Sequence, residues 1–287
     1  MPSMTRRAAL RAAVIAVAAG AAPALQPRTA AARTNDRAIA LTHATVIDAT
    51  GRPPRHDMTV LVTGDRISAV GRTADVPVPE GATVLDLTGR FVIPGLCDMH
   101  VHSIPSERIA PPLYLANGVT TVREMSGSAL LHGWRDRVGS GTMLGPRWII
   151  GSRIVDGAPT VGDPGSFTVV TTEAEARQAV RQAKKEGADF VKVYSRLTDV
   201  TYRAIADESR RLRIPFAGHC PDAVALTTAS RAGQRSIEHL YSTWYATSTR
   251  EQEIRRHAVV TRGRLISSAQ RTRLLAEVAQ AAALERR

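Results

Sequence analysis

Apolar and polar positions follow two rhythms along the chain. Residues 39–47, 58–62, 66–70 and 84–87 are short β-prone runs, punctuated by Thr50-Gly51, Thr63-Gly64-Asp65 and Thr88-Gly89. Closely spaced strands separated by turn residues predict a small antiparallel sheet over 38–90. From Phe91 the period changes, and short apolar runs alternate with helical stretches. The predicted strands are 91–101, 119–123, 148–154, 190–194, 215–219 and 236–240; the predicted helices are 107–117, 128–138, 173–186, 199–212 and 222–232. The clearest helix is 173–186, with Thr171-Thr172 before it, acids in its first turn, Lys184-Lys185 in its last and Gly187 after it. Strands alternating with helices imply an α/β fold built on a parallel sheet, here with six countable strands. The stretch 156–166 is a Gly- and Pro-containing loop longer than an ordinary strand-to-helix connection, which marks it as a possible site wall.

The two ends read differently. Arg6-Arg7, Leu10 and Arg11 precede the apolar run 12–22, and Thr29-Ala30-Ala31-Ala32 follows. A basic start, an apolar stretch and small residues at the cut describe a secretory signal over 1–32, and the paired arginines resemble a twin-arginine type. Export to the periplasm or exterior is therefore expected. Eleven small apolar residues are too few for a stable span, which needs about 20. At the other end, 246–287 is rich in Arg and Ala and is expected to be helical.

The formal net charge of +12 suggests an anionic partner until it is divided along the chain. Residues 1–37 carry six Arg against one Asp, and 250–287 carry nine Arg against four Glu. The other 23 basic and 21 acidic residues, in 38–249, nearly balance. With aromatics at 4% as well, nucleic-acid binding is not expected. The two cysteines, Cys97 and Cys220, lie in or beside apolar runs and read as buried small hydrophobes rather than a bridge. Nothing in the sequence fixes an oligomeric state.

Four of the eight histidines fall at predicted strand ends. His100 and His102 are two apart, so on a strand they share one face. His219 closes 215–219, and His239 lies near the end of 236–240. One such residue alone is more readily a core histidine; four at equivalent strand ends point to a shared metal site, because strand C-termini converge in parallel α/β barrels. Lys192 sits mid-strand between apolar neighbours, where an amine loses its charge on burial. Such an amine can add carbon dioxide to become an anionic carbamate. Tyr194 shares the face of Lys192 and is a candidate substrate-binding residue. Arg123 and Arg153 are weaker substrate-binding candidates.

The runs Val92-Ile93-Pro94-Gly95-Leu96-Cys97-Asp98-Met99-His100-Val101-His102, Ala116-Asn117-Gly118-Val119-Thr120-Thr121-Val122-Arg123, Gly145-Pro146-Arg147, Phe190-Val191-Lys192-Val193-Tyr194, Gly218-His219-Cys220-Pro221 and Ser236-Ile237-Glu238-His239-Leu240 occur in this order. Together they resemble the amidohydrolase superfamily of metal-dependent hydrolases, in particular its imidazolonepropionase-like and Xaa-Pro dipeptidase-like members. The resemblance implies a TIM-type (β/α)8 barrel over 91–245, incomplete at about six strands, beside a β-sandwich portion over 38–90. It also implies two divalent cations, Zn²⁺ by donor type. His100 and His102 would hold the first, His219 and His239 the second, and carboxylated Lys192 would bridge them. A metal-activated water would attack an amide, cyclic amide or peptide carbonyl of a small-molecule or dipeptide substrate. The superfamily's strand-eight aspartate has no counterpart, since no Asp follows Asp222. The expectation is therefore an enzyme truncated at its C-terminus, with a catalytically impaired remnant as the alternative.

Overall fold

A computed structural model describes residues 38–160 and 164–261. The expected signal sequence, and the part of the Arg/Ala-rich tail beyond Thr261, lie outside the described residues. The fold is mixed α/β, with parallel pairing in both sheets whose register is defined. The described chain divides into two compact units.

The first unit takes in 38–99, 103–122 and 134–148. Its sheet comprises β1 (Ile39–Val46), β2 (Arg55–Thr63), β3 (Arg66–Arg72), β4 (Thr83–Asp86) and β5 (Phe91–Val92). The order is β3-β2-β1-β4, and β5 shares with β4 the remaining edge of β1. Pairing of β1 with β2 and of β2 with β3 is antiparallel, as expected, but β4 and β5 run parallel to β1. The sheet is thus mixed rather than purely antiparallel. The register slips between Leu41 and Ala44, and His43 adopts a positive φ of 56° there. The slip turns Ala44 and Val46 to the face of Ile39 and Leu41, where they pack with Met58, Val60 and Val62.

The chain then continues through β6 (Leu96–Val101), α1 (Ala110–Ala116), β7 (Val119–Glu124), α2 (Ala129–Gly139) and β8 (Arg147–Ile150). The apolar run 91–101 is two strands, not one, because Pro94 and Gly95 interrupt it. Cys97 is exposed on β6, against expectation, while Cys220 is buried; both are free thiols.

The second unit takes in 100–102, 123–133 and the described residues from 149 onward. It holds β9 (Ile154–Asp156), β10 (Phe167–Val169), α3 (Glu173–Lys185), β11 (Val191–Val193), α4 (Asp199–Leu212), β12 (Phe216–Gly218), α5 (Leu226–Ala232) and α6 (Glu251–Thr261). Strands β10-β9-β11-β12 pair in parallel. Backbone bonds join neighbouring strand ends: Met125 N–H to Val101 O at 2.9 Å, Gly151 N–H to Glu124 O at 2.9 Å and Ser152 N–H to Phe190 O at 2.8 Å.

Helix α3 buries Ala176, Ala179, Val180 and Ala183, the three-and-four spacing of one helical face. A capping box of Thr172 and Glu175 starts it. Helix α4 begins at a Thr198–Thr201 box and buries Tyr202 and Ile205 against the same core, beside Val191, Val193 and Phe216. The sixth expected strand, 236–240, is reduced to a single bridge between Gly218 and Ile237, and Glu238–Leu240 forms a 3₁₀ turn. No closed ring of strands forms among the described residues.

Candidate metal centre

His100, His102, Lys192, Tyr194, His219 and His239 all lie in the second unit. The imidazoles gather: ring centroids are 5.3 Å apart for His100 and His102, 4.4 Å for His100 and His239, and 5.3 Å for His219 and His239. His100 and His102 arrive on the end of β6 and the residue after it, Lys192 at the centre of β11, and His219 just past β12. His239 arrives on the 3₁₀ turn instead of a strand.

Three of the four imidazoles have Nδ1 facing a protein oxygen. His100 Nδ1 lies 2.7 Å from Glu238 Oε2, His219 Nδ1 lies 2.7 Å from Ser195 Oγ, and His102 Nδ1 lies 4.0 Å from Glu124 Oε1. The first two are hydrogen bonds, and where such an Nδ1 is the donor the ring presents Nε2 as its remaining lone pair, which is how a metal-ligating histidine is oriented. Glu124 and Ser195 are themselves buried, and Glu124 Oε1 accepts from Ser126 N–H at 3.1 Å. Sequence reasoning passed over Glu124, Ser195 and Glu238. Their only sequence signal is a polar residue at the end of an otherwise apolar strand.

His219 is sandwiched between the Tyr194 ring, 4.1 Å away, and the Tyr241 ring, 4.7 Å away, both nearly parallel to it. Burial, helped by the neighbouring Lys192 charge, pushes its pKa down to about 3, so the ring is neutral. Burial likewise lowers His100 and His102. Lys192 is fully buried, and its Nζ has no hydrogen-bond partner. Burial brings it down to about 8, against an opposing pull from Glu238. Its Nζ lies 5.7 Å from the Tyr194 ring centroid, so the shared face expected for these two residues is present.

Arg123 and Arg153 are not offered to a substrate. Arg123 donates to Glu238 Oε1 at 2.6 Å and Ser236 Oγ at 3.0 Å, and Arg153 donates to the Phe167 carbonyl at 2.9 Å.

Clustered imidazoles, two of them hydrogen-bonded at Nδ1, with a buried amine that has no hydrogen bond, fit a divalent cation in donor chemistry. The side chains are gathered without being converged: among the described residues no three His, Cys, Asp or Glu groups form a ligand set. His100 instead takes Glu238 as its partner, and His239 lies against the His100 ring.

No protein-family model matches the chain. Its structural neighbours are amidohydrolase-superfamily proteins of the prolidase and Xaa-Pro dipeptidase kind. One, classed as a prolidase from Bifidobacterium longum, superposes with a TM-score of 0.62 at 28% identity, over 71% of this chain and 54% of that one. A Xaa-Pro dipeptidase with methionine bound in its active site superposes with a TM-score of 0.57 at 24% identity, over 70% of this chain and 60% of its own. Among curated proteins, adenine deaminase 3 of Rhizobium meliloti is 31% identical over 74 residues, which are 26% of this chain and 10% of that protein. The chain thus spans about half the length of the prolidase and a tenth of the deaminase.

Proposed function

We propose that this chain carries the metal-binding part of a hydrolase acting on carbon–nitrogen bonds. The carrying observation is the fully buried Lys192 amine, which has no hydrogen bond and whose charge is felt by His100, His102 and His219, together with the clustering of the four imidazoles. No packing advantage explains such an amine, since an unpaired buried polar group costs about 1–3 kcal/mol. In this reading His100 and His102 would hold one divalent cation and His219 and His239 a second, with Lys192, as a carbamate, a ligand shared between them. The chemistry such cations, Zn²⁺ by donor type, would supply there is polarisation of an amide carbonyl and acidification of a water molecule.

The chain's own residues hold the site and meet the substrate. Glu238 and Ser195 fix the His100 and His219 rings. Tyr194, whose hydroxyl pKa burial raises, remains a neutral donor for a substrate oxygen. The substrate is a small amide, cyclic amide or dipeptide, in keeping with the prolidase and Xaa-Pro dipeptidase among its neighbours. The basic and apolar N-terminal stretch adds export to the proposal. No helix of the described residues is long and apolar enough to cross a membrane.

The test is metal content and turnover of the full chain, reconstituted with Zn²⁺ and bicarbonate and offered Xaa-Pro dipeptides and N-acyl amino acids. The expected result is about two ions per folded chain and amine release that Lys192→Ala abolishes. A folded chain that binds no ion at saturating Zn²⁺ overturns the reading. Two bound ions without turnover of any amide would favour a cation-binding, catalytically impaired form. That second reading draws on the unconverged donors.

A further inference from the structure

Glu238 ties His100 to Arg123 and Ser236, and it directly precedes His239 in the chain. Its Oε2 meets His100 Nδ1 at 2.7 Å, and its Oε1 accepts from Arg123 Nη2 at 2.6 Å and from Ser236 Oγ at 2.6 Å. Arg123 in turn donates to Ser236 Oγ at 3.0 Å and lies 5.9 Å over the Phe190 ring. Both carboxylate oxygens are therefore engaged from a side chain that is itself buried.

The next residue, His239, has φ 59° and ψ 15°, and Leu240 and Ser242 also have positive φ. Non-glycine residues hold that conformation only where their surroundings impose it. The turn carries a bond from Tyr241 N–H to Glu238 O at 2.9 Å and one from Ser242 Oγ to Cys220 O at 3.2 Å, and the Glu238 clamp lies directly before it.

We propose that Glu238 is a positioning residue coupling the two histidine pairs: it fixes His100 as the Nδ1–H tautomer, with Nε2 left for a cation, and it anchors the left-handed turn that presents His239. The cation part of this rests on the reading above; the tautomer part does not. Glu238→Gln separates the two. Arg123 and Ser236 are both donors, so they hold the new amide oxygen on their side. The amide NH₂ then faces His100, and His100 must accept at Nδ1 and carry its proton on Nε2.

The experiment is ¹⁵N NMR of histidine-labelled, metal-free full chain, with calorimetric titration by Zn²⁺ alone. Wild type is expected to show Nδ1–H at His100, and Glu238→Gln the Nε2–H form. The Zn²⁺ affinity of Glu238→Gln is expected to fall roughly 10–100-fold, the range for losing such an outer partner. Ser236→Ala, which keeps the carboxylate and Arg123, is expected to leave the tautomer unchanged. An Nε2–H His100 in wild type overturns the proposal whether or not the Gln variant folds. An unchanged tautomer and affinity in a folded Glu238→Gln overturns it as well. A wild type that binds no Zn²⁺ but shows the tautomer switch upholds the positioning role and removes the metal-hydrolase reading instead.

Discussion

Lys192 and His219 stand on or beside β11 and β12, in which every residue is buried. His239, only 20 residues further on than His219, stands on a turn where three non-glycine residues within four positions have positive φ. One half of the cluster is held by strand ladders and an apolar core. The other is held by side-chain hydrogen bonds to backbone and carboxylate. Ladder geometry is generic and survives most substitutions that keep volume. A polar tie depends on named atoms, so the second half should fail by single groups and the first by single clashes.

The largest effect is expected from a clash on the ladder side. Gly218 has φ 139°, and a Cβ there would come within 2.0 Å of the Val193 carbonyl oxygen. That atom also accepts from His219 N–H at 3.1 Å, so it cannot withdraw without loosening His219. Gly218→Ala is expected to lower unfolding stability by roughly 3 kcal/mol, the upper end of the cost of a strained backbone conformation. A denaturant midpoint within error of wild type would show that the ladder side is not rigid in the way described.

Next in size is the tie joining the two halves. Gln234 accepts from Tyr202 Oη at 2.7 Å, and its amide nitrogen lies 3.1, 3.2 and 3.0 Å from the carbonyls of Gly218, His219 and Ser236. One side chain thus holds the end of β12 and the start of the His239 turn together. Gln234→Ala leaves the fully buried Tyr202 without its acceptor. We expect a loss of about 2 kcal/mol, with amide exchange quickening across 236–242 and little changed in β11. Equal quickening in β11 and the turn would mean the halves do not differ as argued.

The same contrast decides what was legible beforehand. The 173–186 helix and its Thr172 cap, the 199–212 helix and the β11 and β12 strands are local patterns of period and capping, and the sequence expectation matches them closely. Lys192 was legible for the same reason, as a charge placed inside an apolar strand. Residues 236–240 read as a strand on the propensity of Ile237 and the alternation of apolar runs with helices, yet only Ile237 pairs. Contacts 115 and 138 positions back, to Arg123 and His100, override that propensity. No local pattern encodes them. Glu238 was hidden similarly, since a glutamate beside a histidine looks like an ordinary solvated charge until both its oxygens are seen to be taken. Cys97 was misjudged because apolar neighbours in sequence imply burial only where a second layer covers the strand, and β6 is largely exposed.

The smallest effect tests whether polar ties on the ladder side are dispensable. Glu208 on α4 is buried and meets Arg211 at 2.6 Å and Arg181 of α3 at 3.2 Å. The Arg211 hydrogen bond, with Arg181 behind it, lowers its pKa from 4.5 to about 2. A carboxyl depressed on folding stabilises only while ionised. Its contribution is complete above about pH 4.5 and fades as pH falls towards about 2. Glu208→Gln, which keeps the shape, should therefore cost about 1 kcal/mol near neutrality, because the arginine partners are half exposed and screened. The two stability curves should draw together below pH 4.5 as the wild-type carboxyl is protonated. The His239 turn should be indifferent to this change at every pH, since α3 and α4 pack on the apolar core beneath β11 and β12. Parallel curves across that range would show that the α3–α4 ion pairs add nothing to the ladder side, leaving its stability to apolar packing alone.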